Sequence, residues 1–223
     1  MEVLQECKTF LIFIRNDVVK WKKSLLEVKM RKSIVLILVL FLFIVGCSQG
    51  DIAETNETSD FRDVTWGMSK DEVEEVEEAE FISSDEDELM YLVEIGGDEY
   101  YLMYNFVDDK LYEAGYLIMD EVADDSYIDL YEKNKSYLTE KYGEPIKDEV
   151  IWDEGVAESE SDLWFHISKG ELTYLAAWEN DNTEVFLVLR GHNDNNVLGI
   201  DYRSKEYYPL AEDKQDTDIL NKL

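Results

Sequence analysis

Cysteine is almost missing from this chain: its 223 residues hold two, Cys7 and Cys47. Nothing from Ser48 onward can form an internal disulfide, so whatever folds there must rest on a hydrophobic core. Histidine is as scarce, with only His166 and His192. A zinc site wants a close pair of His or Cys ligands, and none exists after residue 47. Nucleophilic catalysis needs an activated Ser, Cys or Thr beside a base, and neither histidine stands in a motif that supplies one. His166 reads as a structural or surface side chain and His192 as a solvent-exposed loop residue. Phosphate-binding glycine loops are missing too, which leaves nucleotide chemistry without a handle.

Positive charge is the third shortage, with 21 Lys+Arg against 52 Asp+Glu. The first 46 positions hold 8 basic and 4 acidic residues, leaving 13 against 48, a formal charge of −35 from Cys47 onward. Such a polyanion repels nucleic acid and anionic headgroups, which argues against DNA or RNA binding and against a basic-patch membrane mode. Attraction of a cation or a basic partner stays open.

Long apolar runs are lacking as well. Residues 34–45 form an unbroken run of 12 behind Arg31 and Lys32, which suits an export signal and falls short of the ~20 residues that span a bilayer. The run ends in Ile44-Val45-Gly46-Cys47, which resembles the lipobox of bacterial lipoproteins. The resemblance implies that the Cys47 thiol receives a diacylglyceryl group, that signal peptidase II cuts just before it, and that the new amino terminus takes a further fatty acyl chain such as palmitate. Two or more chains make a stable anchor where one is marginal. The expectation is a protein at the cell membrane, facing outside the cytoplasm, with no cofactor beyond the covalent lipid. Residues 1–29 precede this signal and read as a misplaced start, since residues 26–29 before Met30 can be encoded as a purine-rich ribosome-binding stretch.

Residues 47–60, the lipidated cysteine and a small, polar, acidic stretch, read as a flexible tether. The folded part is expected over 61–208, with a frayed polar tail at 209–223. Ser69 with Glu72 three residues on makes a capping box, and Met68 can staple onto Val73, so a helix starts here and runs to about Glu80. Three strands follow, over 89–95, 99–107 and 111–119, turning at Gly96-Gly97 and Asp108-Asp109. Asp124 or Asp125 caps a second helix whose Tyr127, Leu130, Tyr131, Tyr137, Leu138 and Tyr142 recur at helical spacing, ended by Gly143 and Pro145. Strands are then expected at 150–152, 163–168, 172–178, 185–190 and 197–202. The fold class is α+β: two helix-plus-antiparallel-meander units, 61–122 and 123–208, packed as one sheet-and-helix domain or as two tandem modules.

The opening Trp66-Gly67-Met68-Ser69 and the valine-spaced helix after it resemble the start of small lipoprotein modules related to the outer-membrane assembly factor BamE and the β-lactamase inhibitor protein. The Gly-x-Pro sequence that ends the helix in that family is absent here after the first helix. Tyr142-Gly143-Glu144-Pro145 supplies it only after the second. The resemblance implies a repeated helix-and-sheet arrangement and a protein-binding role.

Carboxylates are too plentiful to be diagnostic. Asp85-Glu86-Asp87-Glu88 and Asp194 are candidates for a hard cation such as calcium, which takes oxygen ligands, although neither stretch has the alternating ligand pattern of an EF-hand. The sequence therefore reads as a membrane-anchored lipoprotein, not an enzyme, that binds an unknown protein or envelope component. A lipid-anchored hydrolase using a carboxylate pair and an acidic cation-binding envelope protein are the alternatives.

Overall fold

The segments expected as strands, apart from 163–168, pair into one sheet. The computed structural model describes residues 59–120, 126–156, 161–192 and 195–222, all inside a unit running Thr58–Leu223. The signal, the lipobox, Cys47, most of the tether, the cap candidates Asp124 and Asp125, and Asp194 lie outside the described residues. Helix α1 (Lys70–Val76) leads into β1 (Glu80–Ser84), β2 (Glu88–Ile95), β3 (Asp98–Val107) and β4 (Lys110–Asp120). Helix α2 (Ser126–Tyr142), β5 (Lys147–Trp152), α3 (Leu163–Ser168), β6 (Leu172–Glu179), β7 (Thr183–His192), β8 (Asn195–Ser204) and α4 (Tyr208–Lys222) follow. The strand order is β1-β2-β3-β4-β8-β7-β6-β5, with every neighbouring pair antiparallel. This is an α+β fold with a single eight-stranded sheet. None of the described helices is long and apolar enough to cross a membrane.

Local chemistry explains several joints. The α1 capping box forms: the Ser69 N–H donates to the Glu72 carboxylate at 2.8 Å, and the Glu72 N–H donates back to Ser69 Oγ. Two hairpins turn on paired left-handed residues, Gly96 and Gly97 (φ 63° and 91°) and Asp108 and Asp109 (φ 49° and 59°). Such pairs match the right-handed twist of the strands they join, and Asp is among the few residues besides Gly that visit this region.

The register sorts side chains onto two faces. One face carries Leu89 and Tyr91, Leu102 and Tyr104, Ala114 and Tyr116, Ile200 and Tyr202, Val185 and Leu187, and Ala176 and Trp178. Val73 of α1, Tyr127, Tyr131 and Leu138 of α2 and Ile167 of α3 pack into this core with Phe61, Val64 and Trp66. The Trp178 indole N–H donates to the Gly143 carbonyl at 2.9 Å, tying the end of α2 to β6. The other face carries Met90, Met103, Leu117, Phe186, Val188 and Val197, all buried as well. At one end of that face Tyr208 and Ala211 of α4 pack on Val107 and Tyr112. A buried Arg203 sits there between the rings of Phe186 and Tyr208, 4.9 and 4.6 Å from their centroids, and pairs with Glu113 and Asp201. Its planar, weakly hydrated guanidinium suits that sandwich, which an ammonium would not fill.

Four expectations need correction. Helix α1 stops at Val76 instead of near Glu80, because Glu77 leaves helical geometry to be buried among other partners. Residues 80–84, a short and largely exposed stretch for which the sequence predicts no strand, form β1. Residues 163–168 are the helix α3, not a strand. Their aromatic, β-branched composition favours a strand, but Ile167 and Ser168 are held against β7 where Gly191 presents no side chain; a Cβ there would lie 2.0 Å from the Ile167 carbonyl oxygen. The tail expected to fray is the helix α4.

Candidate functional site

Of the residues singled out from the sequence, Asp85, Glu86, Asp87 and Glu88 occupy the β1–β2 turn. The Asp87 N–H donates to the Asp85 side chain at 3.2 Å, the Asp85 N–H donates to the Glu88 carbonyl at 3.0 Å, and the Lys70 ammonium donates to the Asp85 carbonyl. Glu88 begins β2 with its side chain buried. Asp194 lies outside the described residues; its neighbours His192 and Asn195 close the β7–β8 hairpin at the far end of β8 from Arg203. The row across the sheet through Arg203 runs by Glu113 and Asn105 to Glu88, so the 85–88 stretch lies at the opposite end of the strands from residues 192 and 195. Among the described residues no three His, Cys, Asp or Glu side chains converge on one point. We expect the melting temperature of the full-length protein in neutral detergent to climb gradually with NaCl up to about 1 M, because screening relieves repulsion among exposed acids. Calcium and magnesium should act alike. A saturable, calcium-selective rise, worth about 2.7 kcal/mol at a hundred times Kd, would mark a specific site instead.

A constellation the sequence did not announce surrounds Glu77. Its carboxylate accepts two parallel N–H bonds from the Arg62 guanidinium, both 2.9 Å, and a hydrogen bond from the Tyr104 hydroxyl. Phe61 lies against the rings of Tyr104, Tyr116 and Tyr202. Burial works against the Arg62 charge, but hydrogen bonding to Tyr116 and Glu77 outweighs it and holds the guanidinium above its usual pKa. Burial first, and the Glu77 carboxylate second, push the Tyr104 phenol far up. With the Glu77 side chain only 2% exposed, the cluster is a clamp that fixes the chain entering α1 onto β3 and β4. Arg62→Ala would leave that carboxylate buried without its cation, an expected loss of about 3 kcal/mol in urea denaturation. The double change Arg62→Ala with Glu77→Gln should cost clearly less than the two single losses added. A loss below about 1 kcal/mol for Arg62→Ala would mean that the pair behaves as a surface ion pair.

A polar cleft of about 470 Å³ opens where the entering chain meets the β6–β7 turn and the end of β8, lined by Asp60, Trp66, Asp181, Asn182, Lys205 and Tyr207 among others. Gly67 (φ 86°) makes room for the Tyr207 ring, which a Cβ would meet at 2.8 Å. Asp60, one of three carboxylates in the lining with Asp181 and Glu206, accepts from the Trp66 N–H at 2.9 Å and from the Asn182 amide at 3.3 Å. The Trp66 indole donates to Thr183 Oγ1 at 2.8 Å, and the Lys205 ammonium donates to Glu179 and to the Asn180 carbonyl. These bonds staple the loops around the cleft together.

The remaining feature is the β5 edge. Ile146 and Val150 are 58% and 53% exposed, and Ile151 is exposed on the opposite face. Beyond them Trp152 packs edge-on against His166, with ring centroids 5.0 Å apart, and exposed Phe165 flanks the same imidazole. The His166 Nδ1–H donates to the Glu171 carboxylate at 2.7 Å, since an ionised carboxylate only accepts. His166 is therefore a helix residue anchored to the α3–β6 turn, not the strand residue expected. Arg190 bonds Thr173 at 3.0 Å and Asp153 at 3.2 Å, fixing the chain that leaves β5. Exposed acids, Glu144, Asp148, Glu149, Asp153 and Glu154, flank this strip of aliphatic and aromatic surface. A composition-based signal existed in the run Val150-Ile151-Trp152, but nothing local says that this strand ends up at an edge. Comparison with protein-family models, with curated proteins and with solved structures finds no match to this chain.

Proposed function

We propose that this chain is a lipoprotein held at the cell membrane through lipid on Cys47, facing outside the cytoplasm, and that its acidic α+β domain binds another protein or an envelope component. The anchor rests on the lipobox sequence. The binding role rests on one observation, the exposed Ile146 and Val150 along a sheet edge on a highly acidic surface, since large apolar side chains left in water at one place mark contact surfaces. The finer reading of the domain as two helix-plus-meander units, 61–122 and 123–208, is supported by the strand order: β1–β4 and β5–β8 each run as a meander, and the two meet at the β4–β8 pair. The α3 helix between β5 and β6 departs from strict repetition. The test is photocrosslinking in native membranes, with a photoreactive residue placed in the full-length protein at Ile146 or, as a control, at the exposed Leu210 of α4. A discrete adduct from position 146 that is absent from position 210 is expected. Equal labelling at both, or none at either, would overturn a dedicated binding surface.

A further inference from the structure

We infer that the outer edge of β5 is a strand-addition site that takes an extended, basic segment of another protein, a proposal that names the partner class for the binding role above. The two ends of the sheet are not equivalent. At the β1 edge the register slips between Phe81 and Ser83, a bulge that interrupts the edge. Bulges are one of the standard ways an exposed edge is kept from pairing. At the β5 edge all six residues pair with β6 in unbroken register, from Lys147 opposite Ala177 to Trp152 opposite Leu172. Beyond the last pair the Asp153 N–H donates to the Glu171 carbonyl at 2.8 Å. Antiparallel bonding alternates, so residues 149, 151 and 153 face β6, while Asp148, Val150 and Trp152 turn their N–H and C=O groups outward. A regular three-residue ladder is thus presented to an incoming strand, and Asp148, Val150 and their neighbours Glu149 and Ile151 are all exposed.

Charge selects the occupant. Residues 143–155 hold five acids, Glu144, Asp148, Glu149, Asp153 and Glu154, all exposed, and one base, Lys147, which is buried. Lys147 pairs with Glu149 at 3.0 Å, Lys135 with Asp148 at 3.3 Å and Arg190 with Asp153 at 3.2 Å, so three of the five acids meet cations of the chain itself, and the attraction for a basic strand comes from Glu144, Glu154 and the net charge of the whole chain. The edge therefore guards itself with negative charge, which repels a second copy of a chain with net charge −31 and attracts a strand carrying lysine or arginine. In strand addition the main chain supplies affinity and alternate side chains supply specificity. Apolar residues of the incoming strand would cover Ile146 and Val150, and its basic residues would face the acids.

The probe is a fluorescent seven-residue peptide alternating lysine and valine, titrated against the full-length protein in neutral detergent and read by anisotropy, with a glutamate–valine counterpart. The lysine peptide should bind, more weakly as salt rises, and the glutamate peptide should not. Val150→Pro removes an outward N–H without removing a bond to β6, a position where an edge tolerates proline, and should weaken binding at least about tenfold, whereas Val150→Ala should change it less than about threefold. Circular dichroism checks that the Val150→Pro protein is folded. Should it not be, a lysine peptide N-methylated along one edge asks the same question from the ligand's side and should lose binding. Equal binding of both peptides, indifference to Val150→Pro or to N-methylation, or self-association of the protein that Val150→Pro abolishes would each overturn the proposal. A crosslinked partner at Ile146 together with no peptide binding would sink the strand-addition mode and leave the broader binding role standing.

Discussion

Above pH 10 the domain is expected to unfold steeply, within about one to two pH units, as its buried tyrosines are forced to ionise. Burial is the leading cause that raises the phenol pKa of Tyr100, Tyr104, Tyr116, Tyr131 and Tyr202 above the ordinary value of 10.0. Neighbours modify it: Glu77 adds to the rise at Tyr104, Asp148 at Tyr131 and Tyr142 at Tyr202, while Arg62 opposes it at Tyr116 and the Asn134 hydrogen bond opposes it at Tyr100. A phenol whose folded pKa is raised holds its proton in the fold when the unfolded chain has lost it. Its stabilising contribution is therefore complete below pH 10 and drains away as pH rises beyond. Each such group removes at most about 1.4 kcal/mol per pH unit, so several acting together draw heavily on the roughly 5–15 kcal/mol stability of a typical domain. Phenolate absorbance and far-ultraviolet circular dichroism should change together in one cooperative step. Gradual ionisation with the circular dichroism intact would show that these hydroxyls reach water in the folded state. Tyr131→Phe sharpens the test. Its buried hydroxyl makes no hydrogen bond among the described residues, so the change should cost little at neutral pH and should move the alkaline midpoint upward.

Cys47→Ala is expected to abolish lipid attachment outright and to release or mislocalise the domain. The sulfur of Cys47 is the only thiol the lipobox offers, and no second cysteine lies beyond it. Each buried methylene contributes about 0.8 kcal/mol, so removing a diacylglyceryl group removes an anchor many times stronger than any surface contact this acidic domain can make with anionic headgroups. Metabolic labelling with a radioactive fatty acid, followed by fractionation, reads the result. Equal label in the wild-type and Cys47→Ala proteins would sink the lipoprotein reading, and loss of label with full retention on the membrane would point to an uncleaved signal as the anchor.

What the sequence determined by itself was whatever short-range chemistry decides. Ser69 and Glu72 are three residues apart, and their capping box forms whatever lies elsewhere. Tyr127, Tyr131 and Leu138 face one side of α2 because of helical spacing alone, and the Gly96-Gly97 and Asp108-Asp109 turns follow from which residues accept a positive φ. The α+β class follows from such segments added together. Tertiary structure decided the rest, because there the contacts join residues far apart in the chain. Leu163-Trp-Phe-His-Ile-Ser168 has strand composition, yet it coils as α3 against the bare backbone of Gly191, and no local signal carries that contact. Glu77 looks like any other acid in Glu74-Glu75-Val76-Glu77-Glu78, and only the fold brings Arg62 and Tyr104 to it and makes it the buried one. The same holds for the β5 edge proposed to bind a partner. Val150 and Ile151 read as an ordinary strand core until β4 pairs with β8, an arrangement that closes the middle of the sheet and leaves β5 with one side unpaired. A residue's preference for a strand is local, but which strands lie at the edge is a property of the whole pairing order.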